Sequence, residues 1–219
     1  MRRRESDGDG WSHHSGVPAT PVAIRPAELR AIVEAAHEHG LQTAAHAHGT
    51  EGIRDSVAAG VHSVEHCTFL DETSVSPNWD VTSQMVNAGT FISVTAAIPG
   101  IDLPPILKAR ADKVRDNVER MHTMGVRIVL SSDAGVGPHK PHGVLPHGVV
   151  SATSVGFTKT QVLENVTSVA AAVCGLSGRK GAITAGCAAD LRAVHGNPLA
   201  EISDIHRVAA VFRAGARVR

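Results

Sequence analysis

The 219-residue chain is predicted to be an α/β protein with a parallel sheet and helices packed outside it. Two observations carry that prediction. Short apolar runs alternate with amphipathic helical stretches in four successive strand-then-helix units. The run VRIVL (126–130) is continuously apolar, as expected of a strand covered on both faces. Composition agrees, because 42% apolar and 19% charged residues suffice for a sizeable core and are too weakly charged for a disordered chain.

The elements follow in order. Residues 1–25 lack periodicity and read as a disordered lead-in. From Pro26, Leu29, Ile32, Val33 and Ala36 fall at helical spacing, and Gly40 supplies the stop. LQTAAH (41–46) is a short strand. Ile53, Val57 and Ala58 mark a second helix closed by Gly60, and VHSVEH (61–66) is the next strand. A helix over 79–88 ends at Gly89, before the β-branched strand TFISVTA (90–96). Leu107, Val114, Val118 and Met121 give a long helix stopping at Gly125, ahead of the strand 126–130. A Gly/Pro/His-rich loop spans 135–148. Thr158 and Gln161 then form a capping box for one helix carrying Val162, Val166, Val169 and Val173. The Gly-punctuated strand patterns in 181–194 and 207–219 are a separate small β piece. The division expected is therefore an α/β body over 26–178 and a β segment over 179–219.

Charge and composition narrow the function. Lys+Arg and Asp+Glu both total 21, so the chain lacks the basic excess of a nucleic-acid or membrane-surface binder. Aromatics are 3% with no Tyr, which argues against base-stacking platforms. The three cysteines, Cys67, Cys174 and Cys187, form no CxxC pair and indicate neither a disulfide framework nor a zinc ribbon. The basic start has no apolar stretch behind it, and no window reaches the roughly 20 apolar residues of a membrane span, so a cytoplasmic protein is expected. The unusual feature is 14 His, the commonest metal ligand and the side chain that titrates nearest neutrality.

Polar residues recur just past the apolar part of the strands: His46-Ala47-His48-Gly49, Glu65-His66, and Ser131-Ser132-Asp133-Ala134-Gly135. In parallel α/β folds the carboxyl ends of strands carry the ligand site. Imidazoles suit a borderline cation such as zinc, and a carboxylate can ligate it or take a proton from water. A single strand-end His is ordinarily a hydrogen-bonded structural residue, and Asp133 could simply cap a turn. His46, His66 and Asp133 at equivalent positions on successive units carry more weight than any one of them. His37 and His39 suit the last turn of a helix, where the dipole favours cations. His142, in GPHKPHGVLPHG, lies in a loop on the ligand side. Cys67 is expected to be a small buried hydrophobe.

HAHGTEGIRDSVAAGVHSVEHCTFLDE (46–72), GVRIVLSSDAG (125–135) and GAITAGCAADLRAVHGNPL (181–199) resemble the amidohydrolase superfamily, in its imidazolonepropionase-like and dipeptidase-like branch. The resemblance runs from about Pro26 to Arg219. It implies a (β/α)8 TIM-type barrel with a small β-sandwich, of which this chain would supply about the last four βα units and a C-terminal β piece. It implies hydrolysis of C–N bonds in amides or cyclic amides by a metal-activated water, with one or two divalent metals, zinc above all. By matching position, His46 and His66 resemble metal ligands ending two successive strands. Asp133 resembles the aspartate that binds metal and takes the proton of the attacking water. His48 resembles a substrate-side residue, and His142 is assigned to substrate with it.

The departures shape the expectation. The family's first strand carries a His-x-His pair and its fourth a lysine; no HxH precedes His46 here, and His195 replaces a usual Asp. A barrel needs roughly 250 residues, so half of one leaves open strand edges and an apolar face. The expected partners are a small-molecule substrate and either further copies of the chain or a missing N-terminal half. The alternatives to an amidohydrolase are an inactive, N-terminally truncated remnant and a non-catalytic His-rich metal-binding module.

Overall fold

The computed structural model describes residues 6–7, 24–71, 74–96, 105–136 and 140–219. Most of the lead-in, and His139 of the His-rich loop, lie outside them. The chain divides into two compact units: Met1–Val94 with Pro104–Arg127, and Thr95–Leu103 with Ile128–Arg219.

In the first unit four strands lie in the order β1 (Ser6–Asp7), β2 (Ala44–Gly49), β3 (Ser63–Leu70) and β4 (Phe91–Thr95), every pair parallel. Four helices alternate with them: α1 (Pro26–Glu38), α2 (Thr50–Ala59), α3 (Trp79–Ala88) and α4 (Pro105–Thr123). The ends follow local chemistry. Pro26 occupies the first turn of α1, where no N–H is needed, and Arg25 and Glu28 close a capping box. The Asn78 side chain accepts from the Asp80 and Val81 amides to start α3, and Gly89, in the left-handed region, ends it. The helices bury Leu29 and Val33, Ile53 and Val57, Val81 and Met85, Val118 and Met121, whereas Ile32 and Ala58, expected on the same stripes, are exposed. Val64, Phe69, Phe91 and Ile92 of the strands are buried as well. Arg120 lies 3.9 Å over the Trp79 ring and Arg127 3.8 Å over the Phe91 ring, so the stems of both cations cover apolar surface.

The second unit opens with β5 (Arg127–Ser131), whose Ile128, Val129 and Leu130 are all buried. Then come α5 (Leu145–Ala152), α6 (Lys159–Asn165), α7 (Ser168–Val173), and an antiparallel sheet of β6 (Leu191–Val194), β7 (Val208–Arg213) and β8 (Ala216–Arg217). Ala214 and Gly215, both at positive φ, make the two-residue turn that joins β7 to β8.

Three expectations need correction. The loop expected over 135–148 ends at Val144, because Leu145-Pro146 begins α5, with Pro146 in the first turn and Gly148, Val149 and Ala152 buried. The helix expected after Thr158 is two helices. The β-branched pair Val166-Thr167 interrupts it, with the Thr167 hydroxyl donating to the Leu163 carbonyl at 2.6 Å. The strands expected to stop at His46 and His66 continue to Gly49 and Leu70, and that extension shapes the site.

Candidate metal centre

On β2, Ala45 and Ala47 are buried, at 2% and 0% exposure, while His46 and His48 are half-buried. Alternation along a strand explains this: i and i+2 share a face, so the two imidazoles project together from the side opposite the alanines. Small residues on the buried face let α2 lie close against β2.

His66 reaches the same face by a different route. In the ladder His46 is in register with Glu65, and Ala47 with His66. Regular pleating would therefore place His66 on the alanine face. Instead His66 has φ +68, Cys67 φ +50 and Phe69 φ +53, left-handed backbone that is uncommon outside glycine. From Ala47 to Gly49 β2 advances while its partner runs from His66 to Leu70, so β3 bulges out of register there. The bulge puts Cys67 and Phe69 into the core at 0% exposure and re-aims the imidazole. Such strain persists only where surrounding packing holds it, and it concentrates at functional positions. Burial pushes the Cys67 thiol up, consistent with a packing role rather than a nucleophile.

The three rings converge. The His46 centroid lies 5.1 Å from that of His48 and 4.6 Å from that of His66, and His48 and His66 stack at 4.4 Å. One ring nitrogen of each lies within 4.8 Å of the other two. A tetrahedral ion bound at about 2.1 Å sets its ligands roughly 3.4 Å apart, so modest side-chain rotation brings the three onto one centre. His48 is further prepared. Its Nδ1 lies 2.9 Å from the Thr68 hydroxyl, and that hydroxyl donates its own proton to the His48 carbonyl at 3.4 Å. The Thr68 hydroxyl thus holds the His48 ring and main chain together. A hydrogen bond at the second ring nitrogen orients a ligating histidine.

Asp133 and His142 lie in the second unit. Asp133 has φ +48, and its Oδ2 accepts from the Lys140 ammonium at 2.8 Å. Lys140 also donates to the Thr95 hydroxyl at 2.8 Å. His142 is exposed in the turn before α5. The structure thus joins His46 and His66 to His48, which the sequence reading had set apart for substrate. Thr68, Thr95 and Lys140 were not anticipated. The His46–His48 spacing was a visible signal; the other partners depend on how distant segments meet.

Comparison with known proteins fits this geometry. Residues 6–218 match the Amidohydrolase family. Among curated relatives, the imidazolonepropionase of Sphingopyxis alaskensis is 28% identical over 176 residues, 78% of this chain and 39% of that protein. The imidazolonepropionase of Chromobacterium violaceum is 27% identical over 78% of this chain and 38% of its own length. Among solved structures, a Xaa-Pro dipeptidase with methionine bound in its active site aligns at 28% identity and a TM-score of 0.74, over 91% of this chain and 50% of its own. Phenylurea hydrolase B aligns at a TM-score of 0.78 over 99% of this chain and 53% of its own, and at 17% identity it supports the fold alone. The chain therefore spans about two fifths of the curated relatives and about half of the solved ones. Its parallel strands and alternating helices are part of the TIM-type barrel of those structures. On the match across residues 6–218, the chain belongs to the amidohydrolase family.

Proposed function

We propose that this chain forms part of a metal-dependent amidohydrolase that hydrolyses C–N bonds of small amide or cyclic amide substrates. The observation that carries the reading is the convergence of His46, His48 and His66, with His48 Nδ1 hydrogen-bonded to the Thr68 hydroxyl. Three neutral imidazoles suit a borderline divalent ion, zinc by family resemblance. An ion bound there would supply Lewis-acid activation of water and of the scissile carbonyl. The chain's own residues do the rest. His46 and His66 hold the ion, and His48 joins them rather than binding substrate. Asp133 accepts the proton of the attacking water and returns it to the leaving nitrogen. His142, exposed beside that loop, contacts the substrate. A cytoplasmic location belongs to the same proposal and rests on the family alone.

A second reading is a metal-binding chain without turnover: the three converging imidazoles support binding by themselves, while Asp133 is assigned its proton-accepting role by resemblance alone. One purified preparation separates the two. Metal-stripped chain is titrated with Zn²⁺, then assayed with Xaa-Pro dipeptides and imidazolone substrates. Zinc-dependent hydrolysis abolished by Asp133→Asn supports the first reading. Zinc binding without hydrolysis supports the second. No zinc binding overturns both.

A further inference from the structure

His66 faces His46 and His48 only through backbone that ordinary residues avoid. His66, Cys67 and Phe69 lie at φ +68, +50 and +53, all in the left-handed region. Such a run persists only where its surroundings over-determine it. Burial of Cys67 and Phe69 supplies part of that support. The turn that follows the bulge supplies more. Leu70 bridges to Val75, and the Ser76 amide donates back to the Phe69 carbonyl at 2.7 Å. The Asp71 carboxylate accepts from the Ser74 amide and from the Ser76 hydroxyl.

Side chains from two helices fasten this turn. The Thr50 hydroxyl, at the start of α2, donates to the Ser76 carbonyl at 2.8 Å, and the Lys113 ammonium to the Ser74 hydroxyl at 3.3 Å. Arg110 of α4 differs from both in being 8% exposed, low for an arginine. Its guanidinium donates to the Asp71 carbonyl at 2.6 Å. A hydrogen bond from a charged donor is roughly twice as strong as a neutral one.

We propose that Arg110 is a positioning residue of the metal centre: by holding Asp71 it fixes the turn that keeps the left-handed bulge, and with it the His66 imidazole, aimed at His46 and His48. The inference rests on the metal reading above and adds a residue outside the ligand set. Without the Arg110 donor the turn loosens, and the backbone from His66 to Phe69 can relax toward regular pleating. By its register with Ala47, regular pleating carries His66 to the alanine face.

The test is Co²⁺ binding by the full chain, stripped with chelator and titrated against a chromophoric competitor while the visible band of the bound ion is followed. Arg110→Met keeps an apolar stem and removes the donor. It should weaken binding by about tenfold or more and alter the band as His66 leaves the ion. Arg110→Lys, which can still donate, should recover most of both. In a His66→Gln background, Arg110→Met should change the affinity by less than about threefold, because the group it positions is gone. Met121→Ala opens a cavity further along the same helix; it should lower stability and leave affinity and band unchanged. If Arg110→Met does not fold, Ser76→Ala replaces it, removing an exposed hydroxyl from the same Asp71. That variant should weaken binding by at least about threefold, again only while His66 is present. The proposal is overturned if the folded variant binds Co²⁺ with wild-type affinity and band, or if its effect persists undiminished without His66. It is equally overturned if Met121→Ala weakens binding as much, since affinity would then follow stability alone. Absence of Co²⁺ binding by wild type would instead remove the metal reading, and this inference with it.

Discussion

The Nδ1 of His48 lies 2.9 Å from the hydroxyl of Thr68, a residue of the neighbouring strand two positions beyond His66. The same hydroxyl donates to the His48 carbonyl at 3.4 Å, so Thr68 meets His48 at both ring and main chain. The bulge that turns His66 toward the cluster therefore also carries the residue that orients His48.

This relationship predicts the effect of Thr68→Val. The substitution keeps the branched shape but removes the hydrogen-bond partner of His48 Nδ1, so the ring loses what orients it. Loss of such an outer partner weakens metal binding by about 10–100-fold. Thr68→Ser should restore most of the affinity. The check is competitive Zn²⁺ titration of both variants beside wild type, with thermal melting to show that the fold is retained. Equal affinity in wild type and Thr68→Val would remove His48 from the ligand set.

A second prediction sets helix propensity against packing. Gly148 lies within α5, where Ala is favoured over Gly by about 1 kcal/mol. A Cβ at this position would stand 2.5 Å from the Ala96 Cβ and 3.3 Å from its Cα, the second being backbone that cannot swing aside. Overpacking a filled site costs about 1–3 kcal/mol. Packing should win, and Gly148→Ala should lower stability in denaturant unfolding. The double variant Ala96→Gly/Gly148→Ala should recover part of the loss, because it removes the clashing methyl.

Much of the fold was legible because local signals agreed with one another. Asn78 and Gly89 bracket α3 where the sequence places it, and most of the apolar positions read from α1, α2 and α4, such as Leu29, Val33, Ile53, Val57, Val118 and Met121, are buried. The site was legible only in part. His46 and His48 stand two residues apart between alanines, a pattern that already puts both on one strand face once the strand is extended past His46. His66 could not be placed this way. Its register with Ala47 predicts the opposite face, and only the left-handed backbone from His66 through Phe69 overrides the alternation. Lys140 and Thr95 lie 45 residues apart and meet through tertiary folding, which no spacing rule encodes.

The last prediction concerns pH and lies away from the metal centre. His206 closes the 3-10 turn Ile202–His206, and its ring centroid is 4.7 Å from that of His147 on α5. Burial, then the neighbouring His147 and Arg192, push the His206 pKa below its ordinary value of 6.5. Arg192, on β6, is anchored nearby by donating to the Ile205 carbonyl at 3.0 Å. A histidine whose pKa is depressed by folding binds its proton more readily in the unfolded chain. Its contribution is thus fully present above pH 6.5 and is lost progressively as pH falls through 6.5 toward the folded-state pKa. His206→Gln removes the titrating ring while keeping a polar side chain of comparable reach. Wild type should lose more stability than His206→Gln between about pH 7.5 and 5.5, measured as denaturant midpoints at each pH. Because His147 faces the same ring, His147→Gln should lessen the wild-type loss without abolishing it. Identical pH profiles for wild type and His206→Gln would show that the two imidazoles do not oppose each other in the folded protein.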